Sequence, residues 1–198
     1  MKAILFDLNG IFIKSEPLSV RFERDFGVKK EEFVSVLSSI MEITRLPKAP
    51  SVYSLFLPHL DKWGVKKTEE EFLSYWFQAE KIDMEMLGIA KELREKGFRL
   101  FIISNGFRER GEYYKKNFSF LGESLGDIFE KIYFSYNTGY KKPDPKFFEL
   151  ILTENNLDPK ECLYFDDSEK NILSAKTLGI NGIVFKDNNS VKEAIKDF

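Results

Sequence analysis

Four short segments of this chain hold side chains suited to binding a cation and a phosphoryl group. Asp7 ends the apolar run Ile4-Leu5-Phe6 and leads into Leu8-Asn9-Gly10. Ser104 and Asn105 follow a second apolar run, residues 98–103. Lys141, Lys142 and Pro143 come next, and Asp166-Asp167-Ser168 closes a third run, residues 162–165. Three carboxylates repel one another unless a cation sits among them, and hard oxygen donors without histidine or thiol select magnesium. Magnesium, a lysine and a serine hydroxyl together cradle a phosphoryl group. Singly, each segment has a plainer reading. Asn-Gly between alternating apolar residues is a strong signal for a two-residue hairpin turn. Asp-Asp-Ser is a solvated loop or helix cap, Ile-Ser-Asn a strand end, and Lys-Pro-Asp-Pro a helix entry.

The elements around them decide between these readings. From residue 84 onward, helical and β-rich stretches alternate. Helices are expected at 86–96, 109–117, 145–155 and 169–178, and strands at 98–103, 131–134, 162–165 and 180–185. A last helix is opened by a Ser190/Glu193 capping box. Such alternation gives an α/β fold, a Rossmann-like parallel sheet with helices on both faces, which the first strand joins. Functional groups of open α/β sheets lie just beyond the carboxyl ends of the strands, and all four segments fall there. Between residues 15 and 82 the pattern is helical, with no strand expected. Candidate helices run over 17–26, 31–44, 51–63 and 69–80, the last opened by a Thr68/Glu71 capping box. The chain thus divides into a core, residues 1–14 and 83–198, and an inserted all-α cap, residues 15–82.

Lys142 precedes Pro143, which keeps it extended and out of the helix that follows. Asp144 then caps that helix and Pro145 occupies its first turn, leaving Lys142 as the functional lysine and Lys141 as its solvated neighbour. Ser168 reads as a helix N-cap in the same way.

Composition narrows the classes further. The 198 residues carry 30 basic and 32 acidic side chains, a net charge of −2 without a block of either sign. This gives no support for binding nucleic acid or an acidic membrane. No apolar run reaches membrane-spanning length and no targeting segment is recognised. One cysteine, Cys162, allows no internal disulfide and suits a reducing cytoplasm, the expected location. The single histidine, His59, has no partner with which to hold zinc. Twenty phenylalanines read as core packing.

In these segments the chain resembles the haloacid dehalogenase superfamily, in particular its magnesium-dependent phosphatases with a helical cap. The resemblance rests on Phe6-Asp7-Leu8-Asn9-Gly10, Phe101-Ile102-Ile103-Ser104-Asn105-Gly106, Gly139-Tyr140-Lys141-Lys142-Pro143-Asp144-Pro145, and Tyr164-Phe165-Asp166-Asp167-Ser168 leading to Asn171. It implies an aspartyl-phosphate on Asp7 and phosphoryl binding by Ser104, the Asn105 backbone N–H and Lys142. It also implies a Mg2+ shell from Asp7, the backbone carbonyl of Asn9, Asp167, and Asp166 directly or through water. The expected partner is a small phosphorylated metabolite such as a sugar phosphate, and the oligomeric state stays open.

The pattern breaks at one place. The resemblance implies an aspartate at position 9, where it would protonate the leaving group and then activate water, and here the residue is Asn9. An amide cannot exchange a proton at neutral pH. Three explanations stand: a slow phosphatase, a phospho-ligand binder without turnover, and an Asn9 that deamidates before the neighbouring glycine. A metal-free dehalogenase is a weaker alternative, since Asp166-Asp167 would have no purpose there. Tyr53, His59, Trp76 and Phe77 read as cap core. Arg45, in a cap loop, and Arg108, beyond the Ser104 loop, are the arginines placed to meet a second anionic group.

Overall fold

A computed structural model of the protein describes residues 2–117, 119–120, 123–196 and 198. The chain opens with β1 (Ala3–Phe6), four consecutive buried residues, and turns into β2 (Ile13–Ser15). Four helices follow: α1 (Leu18–Phe26), α2 (Lys30–Thr44), α3 (Val52–Lys62) and α4 (Glu69–Phe77). β3 (Glu80–Ile82), α5 (Met84–Glu95), β4 (Arg99–Ser104) and α6 (Arg108–Asn117) come next. A short pair, β5 (Ser119–Phe120) and β6 (Glu123–Ser124), precedes α7 (Leu125–Ile128), β7 (Lys131–Phe134) and α8 (Ser135–Thr138). The chain closes with α9 (Pro145–Glu154), β8 (Cys162–Asp166), α10 (Glu169–Thr177), β9 (Asn181–Val184) and α11 (Asn188–Lys196).

Five strands form one parallel sheet in the order β7-β4-β1-β8-β9. β1 lies in the middle with its two neighbours coming from distant parts of the chain, so the strand order reverses there. Both faces of the sheet are buried, which explains the near-continuous apolar runs. Ile4 and Phe6 point to one face, with Leu87, Leu93, Tyr114 and Val191. Ala3 and Leu5 point to the other, with Phe101, Phe147, Phe148, Tyr164 and Ile172. The register Phe6↔Ile102 and Phe6↔Phe165 brings Asp7, Ser104 and Asp166 to the same edge.

The helices α1–α4 build a second apolar cluster around Phe22, Phe33, Phe56, Phe72 and Trp76. Trp76 and Phe77 belong to it, as expected. Tyr53 packs against it and donates its hydroxyl to the Lys67 carbonyl at 2.7 Å, and the half-buried His59 ring lies 5.8 Å from that of Trp63. Arg21 is buried and donates to the carbonyls of Tyr75 and Trp76, satisfying the open end of α4. Phe107 joins this cluster from the Ser104 loop, its ring 5.1 Å from that of Trp76.

The fold departs from the sequence-based expectations at four places. Asn9-Gly10 is not a hairpin turn: β1 pairs in parallel with β4 and β8, and residues 8–13 close a wider turn in which Phe12 and Ile13 donate to the Leu8 carbonyl. Four strands appear where none was expected: β2 and β3 pair antiparallel, Ile13 with Ile82 and Ser15 with Glu80, and β5 pairs antiparallel with β6. Glu80 is therefore a strand residue, and α4 stops at Phe77. The last helix begins at Asn188; Asp187 caps it by accepting from the Ser190 N–H at 3.0 Å, so Ser190 lies inside the helix rather than at its cap. Ser168 stands at the N-cap of α10, but its side chain makes no capping bond. The Thr68/Glu71 box and the Asp144 cap form as read. Cys162 is buried and donates to the Asp158 carbonyl, with burial first among the causes that push its thiol up to about 12.

Candidate active site

Lys142 is the centre of the site. Its ammonium group, 1% exposed, lies 2.9 Å from Asp7 Oδ1 and 2.7 Å from Asp166 Oδ2. A buried ammonium costs several kcal/mol unless paired, and two carboxylates here hold it. The backbone carrying Lys142 is held in turn by one side chain. Asn105 accepts from the Lys142 N–H at 2.8 Å and donates to the Lys142 carbonyl at 2.8 Å. This clamp was not foreseen. It fixes the lysine loop to the loop after β4 and leaves the Asn105 backbone N–H for other work. The Lys142–Pro143 peptide is cis.

Asp166 is fully buried and meets four protein donors: Lys142, the Tyr164 hydroxyl, the Ser168 N–H and the Asn171 amide. Burial alone would raise its pKa, but Lys142 and these hydrogen bonds hold it below the usual carboxylate range. Asp7 behaves oppositely. Burial raises it to about 6, with Lys142 opposing and Asp166 adding to the rise. Its Oδ1 is engaged by the Leu8 N–H at 2.7 Å and by Lys142, which leaves Oδ2 open. Asp167 is exposed; burial of its neighbourhood and the charge on Asp166 raise its pKa. Oxygens of Asp7, Asp166 and Asp167 lie within 4.8 Å of one another. This all-oxygen set fits magnesium.

Gly10 makes the set possible. Its φ of +88° suits glycine, and a Cβ there would stand 2.6 Å from Asp167 Oδ2. Asn9 hangs between two partners. The Tyr114 hydroxyl donates to Asn9 Oδ1 at 3.0 Å, and Asn9 Nδ2 approaches Ser104 Oγ at 3.5 Å. Ser104 is fully buried at the end of β4. The structure thus brings Asp7, Asn9, Ser104, Asn105, Lys142, Asp166 and Asp167 to one place.

Three residues behind Asn9 escaped the sequence reading. Arg110 and Tyr114 sit four apart on one face of α6, with the guanidinium 5.4 Å from the Tyr114 ring centroid. Arg110 pairs with Glu80 of β3 at 2.6 Å, and the Glu80 side chain is 1% exposed. The i,i+4 spacing was a visible signal; the partner thirty residues earlier was not. Of the two arginines noted in sequence, Arg108 is exposed and lies 3.7 Å from Glu109, whereas Arg45 is half-buried. Lys141 is the solvated neighbour, and it pairs with Glu42 of α2.

A parallel sheet whose central strand ends in a lysine-held aspartate, with a serine and two acids at its flanks, defines a hydrolase of one class. The model of the haloacid dehalogenase-like hydrolases matches residues 1–179, and the chain belongs to that family. It is 31% identical to a D-ribitol-5-phosphate phosphatase of Bacteroides thetaiotaomicron, a match covering 60% of this chain and 58% of that protein. It is 27% identical to a glyceraldehyde 3-phosphate phosphatase of Pyrococcus abyssi, over 94% of this chain and 82% of that one. Among solved structures, a family enzyme from Bacteroides thetaiotaomicron in complex with magnesium and inorganic phosphate superposes with a TM-score of 0.80. Its identity is 26%, and the match covers 94% of either chain. The match to the first of these phosphatases spans little more than half of its length. Among the described residues, no helix is long and apolar enough to cross a membrane.

Proposed function

We propose that this protein is a magnesium-dependent phosphomonoesterase for small phosphorylated metabolites, working through an aspartyl-phosphate on Asp7, with residues 15–82 as its cap. The observation that carries the reading is Lys142 bridging Asp7 and Asp166, with Asp167 free beside them. Asp7 Oδ2 attacks phosphorus while Oδ1 stays bonded to Leu8 and Lys142, and a carboxylate with a pKa of about 6 is ionised at neutral pH. Ser104, the Asn105 N–H and Lys142 bind the phosphoryl oxygens. Asp7, Asp167 and the Asn9 carbonyl would hold the magnesium ion, which supplies neutralisation of the phosphoryl charge. Asp166, with its oxygens taken by four protein donors, anchors Lys142 and reaches the ion through water.

Asn9 supplies a hydrogen bond through Nδ2 but no proton, so alkyl leaving groups depart slowly. This one residue also favours a second reading, a phospho-ligand binder that has lost turnover. Removing a negative charge beside bound phosphate strengthens the attraction between phosphate and the site. Incubation with magnesium and p-nitrophenyl phosphate, with intact-mass analysis and an Asp7→Ala control, separates the two. Turnover above the control supports the phosphatase. A phosphoryl adduct that never turns over supports the binder, and turnover equal to the Asp7→Ala control, with no adduct, overturns the catalytic role of Asp7.

A further inference from the structure

Two guanidinium groups beside this site have buried Nε atoms without a hydrogen-bond partner, those of Arg45 and Arg110. Leaving a buried donor unbonded is unfavourable, so such atoms mark a place where a ligand acceptor is expected. Arg45 ends α2, and that end rests on the lysine loop. Glu42 pairs with Lys141, the neighbour of Lys142, and a Cβ on Gly139 would lie 3.7 Å from Pro47. Arg110 approaches from the other side, over the ring of Tyr114, whose hydroxyl holds Asn9. Burial and, after it, the charge of Arg110 lower the pKa of Arg45, while Glu42 and Asp7 act against that shift.

The charges do not cancel equally. Glu80 neutralises Arg110 at 2.6 Å. Among the described residues no carboxylate lies within ion-pair distance of Arg45, since Glu42 is committed to Lys141. Lys142 and a divalent cation balance the three acids of the site. One positive charge, on Arg45, is left unbalanced beside the site. We infer that Arg45, flanked by Arg110, is a distal-group subsite that selects phosphomonoesters carrying a carboxylate at the far end. The inference rests on the phosphatase reading for the place of the phosphoryl group, and it adds a phosphorylated hydroxy acid as the substrate class. The guanidinium fork matches a carboxylate in two-point geometry, which a neutral hydroxymethyl group cannot reproduce.

Two compounds with the same carbon skeleton test this. D-3-Phosphoglycerate ends in a carboxylate where sn-glycerol 1-phosphate, with the same arrangement at C2, ends in a hydroxymethyl group. With magnesium present, kcat/KM is expected to favour the acid by about tenfold or more, mostly through KM, as a charge-assisted pair gives. Arg45→Gln should bring the ratio close to one, and Arg45→Lys should keep part of the preference. Calorimetric titration of the same two compounds into native protein and Arg45→Gln reads the subsite even without turnover. If neither compound is hydrolysed but the acid binds more tightly and loses that advantage in Arg45→Gln, the phosphatase reading fails and the subsite stands. Equal handling of the two compounds by the native protein overturns the subsite. Equal losses on both in Arg45→Gln also overturn it, assigning Arg45 to the transferring phosphoryl group instead.

Discussion

Replacing Asn9 with aspartate should raise turnover, and the surroundings of Asn9 set how much. In Asn9→Asp one carboxylate oxygen takes the place of Oδ1 and accepts from the Tyr114 hydroxyl, 3.0 Å away. The other takes the place of Nδ2, 3.5 Å from Ser104 Oγ, where the serine hydroxyl can turn to donate. No side chain has to move, so the new carboxyl stands where Asn9 already points. General acid–base catalysis is worth roughly 10²–10⁴-fold, about 3–5 kcal/mol of barrier, and that is the expected rise in kcat on an alkyl phosphate. p-Nitrophenyl phosphate needs less help in the first step and should gain less. The added negative charge should weaken inhibition by inorganic phosphate at the same time. Steady-state kinetics of both proteins on sn-glycerol 3-phosphate and p-nitrophenyl phosphate, with phosphate inhibition constants, reads both effects. Deamidation is not expected to blur the comparison. The Gly10 N–H that would have to attack the side chain is held by the Ile13 carbonyl at 2.9 Å. A kcat on the alkyl phosphate within about threefold of the native protein would refute the reasoning, because position 9 would then not be where the proton is moved.

Two further outcomes follow from the same geometry. In the metal-free protein the Asp7 pKa stands above its ordinary value, at about 6, so the folded state binds a proton more tightly than the unfolded one. The contribution of Asp7 to stability should therefore fall as pH rises from about 4 to about 6, a difference read between the native protein and Asp7→Asn. Magnesium takes the place of that proton, and at a hundredfold excess over Kd it should add about 2.7 kcal/mol, roughly 5–10 °C in Tm. The gain should be larger at pH 7.5 than at pH 5, and a gain independent of pH in thermal melts would contradict this. Gly10→Ala forces a methyl group into Asp167 and a side chain into positive φ, at a cost of about 1–2 kcal/mol. The magnesium concentration for half-saturation should rise by about tenfold, and a native-like magnesium titration would contradict the role given to Gly10.

The site was legible where one local signal fixed each residue. Asp7, Ser104 and Asp166 each end an apolar run, and the ends of parallel strands share one edge, so three separate runs converge without any knowledge of packing. Lys142 was legible for a different reason: Pro143, Asp144 and Pro145 together determine where the next helix starts. β2 and β3 were hidden because three residues such as Glu80-Lys81-Ile82 show neither a period nor a β-branched run, and their pairing joins positions far apart in sequence. The Asn105 clamp and the Glu80–Arg110 pair have the same character. Nothing near Asn105 says that its amide will enclose the backbone of Lys142, and a buried ion pair leaves no mark on the segments flanking it. Ser190 misled because a serine followed three residues later by a glutamate also occurs inside a helix, where Asp187 had already supplied the cap.

Phe107 is one of several links between the parallel-sheet core and the layer of α1–α4, beside the Lys141–Glu42 pair and the hydrogen bond from the Val52 N–H to Glu109. It lies two residues beyond Asn105, on the loop after β4, yet it is buried with Trp76 and Phe77 in the cluster of α1–α4. Pulling that ring out of the cluster would cost about 1.5–3 kcal/mol. The helical layer is therefore anchored by a buried ring on the loop that carries Ser104 and Asn105. Any shift of that layer is also a change in the surroundings of the two residues.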